Sequence, residues 1–427
     1  MTTRPDFERN VAAWLNTTAG EGTPDYLEEI EARVDVVRQR AWWSSPERWL
    51  PMDLTARAST LPRPRLGPML VAVALLVTLV VGALLVIGSS RRVPPPFGTA
   101  RNGLIGTGDN GDIMLVNADG SGLRTVVAGP DQDEGITFSR DGTRMVFNRV
   151  VGPTESHVMV ADADGRNLAP LADRSFGNTW WFDWSPTDDR VALASEVDGN
   201  GHSEIEVVNV ADRSVQTITP SKLGLENVGF PLWRPADGKE LIFTGDPAGP
   251  LESGLYAIHP DGTGLRKVGV QLASGDSYHT LELTPDGRYA VYWNIENDTT
   301  GYGHARTHVL DLTSGDDRTV TYGPPGTEAS DPHISPDGAQ VVSTRWLGGP
   351  GQAGVLQIAP LDASAAGRTI GPEFTNDDHF SAAFSPDGTE VVLSVDGNAP
   401  VFIDIASGKT TVSLSVFKVA TWQRQAP

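Results

Sequence analysis

Phe384-Ser385-Pro386-Asp387-Gly388 is the clearest copy of a short motif that occurs six times after residue 103. Proline presets φ, aspartate bonds its own backbone and glycine accepts positive φ, so the motif predicts a tight turn. An aromatic or aliphatic residue precedes every copy, at Phe138, Trp184, Trp233, Leu283, Ile334 and Phe384. These positions are 46, 49, 50, 51 and 50 residues apart. A period near fifty with several strands per unit indicates the blades of a β-propeller.

The number of blades follows from the strands around each turn. Alternating strands follow the turns, as at residues 144–147 and 390–393, and a second hairpin recurs, as in Asp162-Ala163-Asp164-Gly165. Six complete units run from Glu134 to Val416, and a partial unit at 104–127 lacks its innermost strand. Residues 419–423 read as that strand. We therefore predict an all-β propeller of seven blades, the last closed by both chain ends, with six blades as the alternative.

The repeated turn and hairpin resemble the TolB-like, PD40 group of WD40-like propellers, whose blades carry a W-S-P-D-G turn, a strand and a D-x-D-G hairpin. The resemblance covers residues 103–425, about three quarters of the chain. It implies a propeller fold in a bacterial protein and says little about activity, because members of the group serve as binding platforms, periplasmic scaffolds and gating domains of peptidases. No hydrolase domain follows the repeats here, so the resemblance favours binding or scaffolding.

Composition and charge narrow the class of ligand. The chain has 46 Gly, 31 Pro and no Cys, which suits short strands and tight turns and removes disulfides, thiolate metal sites and cysteine nucleophiles. Its net charge is −21, and 24 basic against 44 acidic residues follow Ser90. A domain with this surplus of acid repels phosphate backbones. Nucleic acid is therefore not an expected partner.

A membrane span precedes the repeats. Residues 66–88 form a run of 23 residues without a charge, which as a helix would be roughly 34 Å long. About 65 residues come before it, which argues against a cleaved signal peptide. Four arginines shortly before the span against three shortly after it favour a cytoplasmic N-terminus and an extracytoplasmic propeller in the cell membrane. We assign residues 66–88 to a transmembrane helix, 89–102 to a proline-rich linker and 103–427 to the propeller.

Residues 1–65 are predicted to be a cytoplasmic helical segment. Two short amphipathic helices fit the apolar spacing, and Thr23-Pro24 suits the start of the second. Three tryptophans follow at 42, 43 and 49, a density typical of a docking or interfacial stretch, although they could equally cap the helical pair. The layout resembles transmembrane anti-sigma factors, without their His/Cys zinc motif. A cytosolic regulator bound through residues 1–60 is therefore a second hypothesis for function.

Candidate ligand-binding residues lie just before the turns, on the strands expected to line the central channel. Carboxylates and histidines there could form one acidic funnel for a cation, a cationic ligand or acid–base chemistry, or could be separately solvated. The candidates are Glu134, Asp183, His279, Glu282, Asp331, His333, Asp377, Asp378 and His379, with Asp133 and Glu226 beside them.

Catalytic signatures are absent from the sequence. There is no Gly-x-Ser-x-Gly elbow, no phosphate-binding glycine loop followed by Lys and no His-Glu-x-x-His. His304 and His308 would share a helical face, but their segment reads as a strand, where that spacing does not bring both to one metal. We assign no catalytic residue, cofactor or metal. The leading expectation is a binding or scaffolding module for a protein, peptide or glycan, and a propeller hydrolase or lyase using His279, His333 and His379 is a third hypothesis.

Overall fold

The computed structural model describes residues 95–426 except 110, 154, 198–201, 236, 248–252, 270–278, 298–302, 321–327, 348–352, 376–379, 396–397 and 414–420. The predicted cytoplasmic helices and the membrane span lie outside these residues and stay predictions. In the part of the chain that is described, no helix is long and apolar enough to cross a bilayer.

Seven antiparallel sheets of four strands each make up the described chain. The first three strands are β1 (Arg101–Asp109), β2 (Asp112–Val116) and β3 (Arg124–Val127). Blade 1 contains β4 (Gln132–Phe138), β5 (Arg144–Gly152), β6 (Glu155–Asp162) and β7 (Ala169–Pro170). Blade 2 contains β8 (Thr179–Trp184), β9 (Arg190–Glu196), β10 (Ser203–Asn209) and β11 (Val215–Ile218), after which comes a 3₁₀ turn, Pro220–Leu223. Blade 3 contains β12 (Leu225–Trp233), β13 (Leu241–Pro247), β14 (Gly254–Ile258) and β15 (Arg266–Lys267).

The remaining blades repeat this order. Blade 4 contains β16 (His279–Leu283), β17 (Tyr289–Asn297), β18 (Gly303–Asp311) and β19 (Asp317–Thr319). Blade 5 contains β20 (Ala329–Ile334), β21 (Gln340–Trp346), β22 (Ala353–Pro360) and β23 (Arg368–Thr375). Blade 6 contains β24 (Phe380–Phe384), β25 (Glu390–Val395), β26 (Val401–Asp404) and β27 (Thr410–Val412). The last strand is β28 (Thr421–Gln425).

Both ends of the chain build blade 7. The C-terminal β28 pairs with β1, with Ile105 opposite Trp422, and the sheet continues through β2 to β3. The prediction of seven blades closed by both ends is confirmed, and the six-bladed alternative is wrong. Because β28 pairs with β1, the two ends of the chain form one sheet, and the inner edge of β1 is not left unpaired.

The repeated turn is held by its own side chains. In blade 6 the Ser385 hydroxyl donates to the Asp387 carboxylate at 2.7 Å and accepts from the Glu390 N–H at 3.0 Å. The same Asp387 oxygen accepts from the Thr389 N–H at 3.0 Å. Equivalent bonds recur at Ser139, Thr284 and Ser335. Local hydrogen bonding of this kind explains why the turn is the most regular part of the sequence.

The residue before each turn packs between two blades. Trp233 is 1% exposed and lies among Val207 of blade 2 and Phe243 of its own blade. Its indole N–H donates to the backbone oxygen of Asp183 in blade 2 at 3.1 Å, and Trp184 makes a similar bond to Thr137 at 3.4 Å. Because this residue joins neighbouring sheets, its size sets how the blades pack side by side.

Candidate functional site

Each innermost strand has one residue directly before the packed residue, and six of these seven residues line a cavity in the central channel. We call these seven positions the channel ring. They are Thr137, Asp183, Leu232, Glu282, His333, Ala383 and Thr421. The face carrying the repeated turns lies just beyond the ring and is called the turn face; the starts of the innermost strands point to the far face.

Bulges in the innermost strands lie just before the channel ring. In four blades the pairing with the second strand shifts there, and the residue two positions before the ring has positive φ. These residues are Gly135, Phe230, Thr280 and Asp331, with φ of 67°, 49°, 41° and 48°. A non-glycine residue in this region costs about 1–3 kcal/mol, and bulges commonly redirect side chains next to sites. Half of the six described non-glycine residues with positive φ therefore lie at these bulges beside the channel.

Asp183 bridges three blades from the channel ring. One carboxylate oxygen forms an ion pair with Arg140 in the turn of blade 1. The other accepts from the Trp233 N–H of blade 3 at 2.7 Å. Burial raises the pKa of Asp183, and the opposing effects of Arg140 and the backbone N–H groups only partly offset it. With both oxygens satisfied, Asp183 stabilises the ring and is not available as a free acceptor for a ligand.

Glu282 and His333 form a second bridge, between blades 4 and 5. The Glu282 carboxylate lies 2.7 Å from His333 Nδ1 and accepts from the Ile334 N–H at 2.8 Å. Burial alone would lower the pKa of His333, but the Glu282 and Asp331 carboxylates outweigh it, so the pKa lies above 6.5. Among the described residues, Nε2 of this imidazole has no hydrogen-bond partner. Nε2 of His333 is therefore available to a ligand in the channel, as a donor when the imidazole is protonated and as an acceptor when it is neutral.

The other described funnel residues make no hydrogen bond to this pair, and Asp331 acts on it only through its charge. Glu134 is half-buried towards the far face, where Gln132 donates to it at 3.2 Å. Asp331 is also half-buried there and accepts from Thr280 at 3.3 Å. His279 begins β16 and pairs with Trp293 through its backbone. The positions outside the described residues are Asp377, Asp378 and His379.

The two candidates beside the funnel residues differ in burial and in their partners. Asp133 is fully buried and receives both ends of the Arg149 guanidinium, at 2.7 and 2.8 Å, so its role is structural. Glu226 is exposed at the start of β12. The described candidates thus divide into a ring group, Asp183, Glu282 and His333, and a far-face group.

Possible metal ligands are dispersed. Among residues 95–426, outside the gaps given above, no group of three His, Asp or Glu side chains is placed to hold a metal ion. His304 contacts Glu328 at 2.8 Å, whereas the ring of His308 stacks on Tyr292 with centroids 5.0 Å apart. The two histidines therefore lie in different settings.

A cavity of about 540 Å³ occupies the turn-face half of the channel. Its apolar walls include Trp181, Trp233, Leu281 and Phe384, and its charged lining consists of the two ring bridges and Arg424. Large apolar walls with a few converging polar groups are typical of a ligand site.

Two arginines of this cavity were missed by sequence reasoning. Arg140 occupies the place that proline holds in most turns, and Arg424 follows Trp422 at the offset at which Arg140 follows Phe138. Burial and the nearby Arg140 charge lower the pKa of Arg424 to about 10. Both arginines depart from the repeat, because each stands where proline forms the turn in the other copies. A charged residue does not help to form this turn, so its presence there could have pointed to a role in the channel.

Comparisons with known proteins support the fold and assign no activity. No protein-family model and no curated protein matches this sequence. Among solved structures, oligogalacturonate lyase from Vibrio parahaemolyticus is 14% identical with a TM-score of 0.51, over 73% of this chain and 91% of that one. A prolyl endopeptidase is 12% identical with a TM-score of 0.53, over 78% and 51% of the two chains.

TolB from Acinetobacter baumannii is also similar, at 18% identity and a TM-score of 0.44, over 63% of each chain. The chain thus matches less than two thirds of the TolB structure and about half of the endopeptidase. At identities this low the similarity concerns architecture alone. The chain shares its overall architecture with the lyase and the endopeptidase.

Proposed function

We propose that this protein is a membrane-anchored, extracytoplasmic binding or scaffolding module that holds a protein, peptide or glycan at its central channel. The observation that carries the proposal is the cavity at the turn face, where aromatic walls surround the Glu282–His333 pair. Glu282 is satisfied on both oxygens, so it orients the imidazole and leaves Nε2 to bond a ligand, as a donor when the ring is protonated and as an acceptor when it is neutral. A polar group held in a fixed position within an apolar pocket selects for ligands that carry a complementary polar group.

The anchoring part of the proposal rests on the uncharged run at 66–88 and on the arginine distribution around it. Protease added to intact cells should digest the propeller and leave residues 1–65 protected until the cells are lysed. Protection of the propeller in intact cells would contradict the proposed orientation.

The binding role is tested with full-length protein purified in mild detergent and cross-linked to a membrane-envelope extract. His333→Gln removes the imidazole that Glu282 orients, so the partner retained by the unchanged protein should be reduced at least tenfold. Glu373→Gln is the matched control, because this carboxylate is exposed on the outer strand of the same blade. It should leave retention unchanged.

Equal retention by the His333 variant and the unchanged protein would place the partner outside the channel and overturn the proposal. Conversion of a supplied oligosaccharide or peptide by the purified protein, lost in the same variant, would favour the enzyme hypothesis instead.

A further inference from the structure

The segment just before the first strand covers the turn-face mouth of the cavity. Pro96, Phe97 and Gly98 are among its lining residues, and we call Pro95–Gly98 the strap. The ring of Phe97 lies 4.6 Å from the guanidinium carbon of Arg140, and the Pro95 carbonyl accepts from Arg424 Nη2 at 3.0 Å. The strap therefore places one aromatic ring and one acceptor oxygen on the two arginines of the mouth.

The residues that follow the strap are hydrogen-bonded to the turn of blade 6. The Ala100 N–H donates to the Pro386 carbonyl at 2.8 Å, and Asn102 bonds the side chain of Asp387 at 3.0 Å. Residues 100–102 are thus fixed to the turn of blade 6, whereas Pro95–Gly98 lie outside every strand. Release of the strap breaks no sheet pairing.

The occupied mouth has the features of a peptide site. Beneath this proline-containing segment the cavity wall contains the partly exposed Trp181, and the packing residues Trp233 and Trp422 lie buried in the same wall. Proline-rich peptides dock into aromatic-lined grooves because their backbone is already extended. The strap occupies this mouth readily because it belongs to the same chain, and a tethered segment acts at a high effective concentration.

The strap leaves the charge of Arg424 unneutralised, whereas Arg140 is already paired with Asp183. Arg424 is partly buried beside Arg140, and within the described chain its Nε atom has no hydrogen-bond partner. Pro95 offers Arg424 only a carbonyl oxygen. A ligand that adds a carboxylate would neutralise the Arg424 guanidinium, a stronger interaction than a neutral acceptor provides.

We propose that the turn-face mouth binds an extended peptide carrying an aromatic side chain next to a carboxylate, and that the strap is its resident intramolecular competitor. The inference rests on the proposed function, because both use the channel. It adds the chemical class of the partner and a means of regulation: the ligand gains access when the strap leaves.

Peptide binding to the full-length protein in detergent tests the proposal. The probes are fluorescein-labelled VPPPFGT, which copies residues 93–99, and VPPEFGT, which has Glu at the proline before Phe; VPPEAGT is the control without the aromatic ring. Phe97→Ala should increase the affinity for VPPEFGT at least tenfold, as expected if the strap occupies the mouth nine-tenths of the time or more. Thr99→Ala, an exposed neighbour, should bind like the unchanged protein.

The peptide series identifies the recognised groups. In the Phe97→Ala protein VPPEFGT should bind at least fivefold more tightly than VPPPFGT, and VPPEAGT should show no saturable binding. Adding Arg424→Gln should remove most of the preference for the acidic peptide. Equal affinity of Phe97→Ala and unchanged protein for VPPEFGT, or equal affinity of Phe97→Ala for the acidic and neutral peptides, would overturn the proposal.

Fluorine NMR provides a second test in which the strap keeps its phenyl ring. With 4-fluorophenylalanine at position 97, saturating VPPEFGT should move the fluorine resonance to a position typical of solvent-exposed rings. An unmoved resonance at saturation would show that the strap is not displaced and would also overturn the proposal. Failure of these peptide tests, with partner retention still dependent on His333, would reject the strap proposal and leave the proposed function standing.

Discussion

Trp422→Ala tests whether the C-terminal strand locks the ring. Trp422 is 7% exposed and lies in the cluster between blades 6 and 7, where its ring meets Phe402 edge-on with centroids 6.2 Å apart. A buried Trp removes about 200 Å² from water, worth about 5 kcal/mol at about 25 cal/mol per Å². Alanine retains a small part of this contact area. We therefore expect the free energy of unfolding to fall by about 3–5 kcal/mol, as for other buried Trp→Ala changes.

The assay is equilibrium urea unfolding of residues 91–427, followed by circular dichroism. This fragment contains all seven sheets and both strands that close blade 7. Gln425→Ala is the matched control, since it lies at the exposed end of the same strand and should change the free energy by less than about 0.5 kcal/mol. A loss below about 1 kcal/mol for Trp422→Ala would show that the closure does not depend on this contact.

Two further predictions concern charge and backbone conformation. Because the pKa of folded His333 lies above 6.5, the stability that Glu282 and Asp331 provide should be fully present below about pH 6.5 and be lost as pH rises through the folded value. NMR titration should show this pKa falling in Glu282→Gln, and a folded value at or below 6.5 in the unchanged protein would contradict the assignment. Gly142 has φ of 69°, and an added Cβ would lie 2.1 Å from the Arg424 carbonyl oxygen, whereas at Gly315, φ 78°, it would meet nothing within 4 Å. Gly315→Ala should therefore cost only the conformational strain, about 1–2 kcal/mol, and Gly142→Ala clearly more; equal losses in urea unfolding would refute the steric argument.

Much of the fold could be predicted because each blade repeats a local code. Ser385, Pro386 and Asp387 define a turn through bonds between near neighbours, and such bonds can be recognised without knowing the rest of the molecule. The closing strand was also predictable, since the partial unit at 104–127 required a partner and residues near Trp422 supplied it.

The candidate site could be predicted only in part. Asp183, Glu282 and His333 were named because they precede turns, and the structure places all three in the channel ring. Their partners were not foreseen, because Arg140 and Asp183 are 43 residues apart and Glu282 and His333 are 51 apart. No local pattern reports a contact across two blades.

The sequence by itself determined the number of blades, the position of each turn and the means of closure, since these depend on short-range bonds and on hydrophobic spacing. Only the tertiary structure decided which charges meet in the channel and that Phe97 covers its mouth. Those contacts depend on the register of the bulged inner strands and on how neighbouring blades pack, and both are set by the ring as a whole.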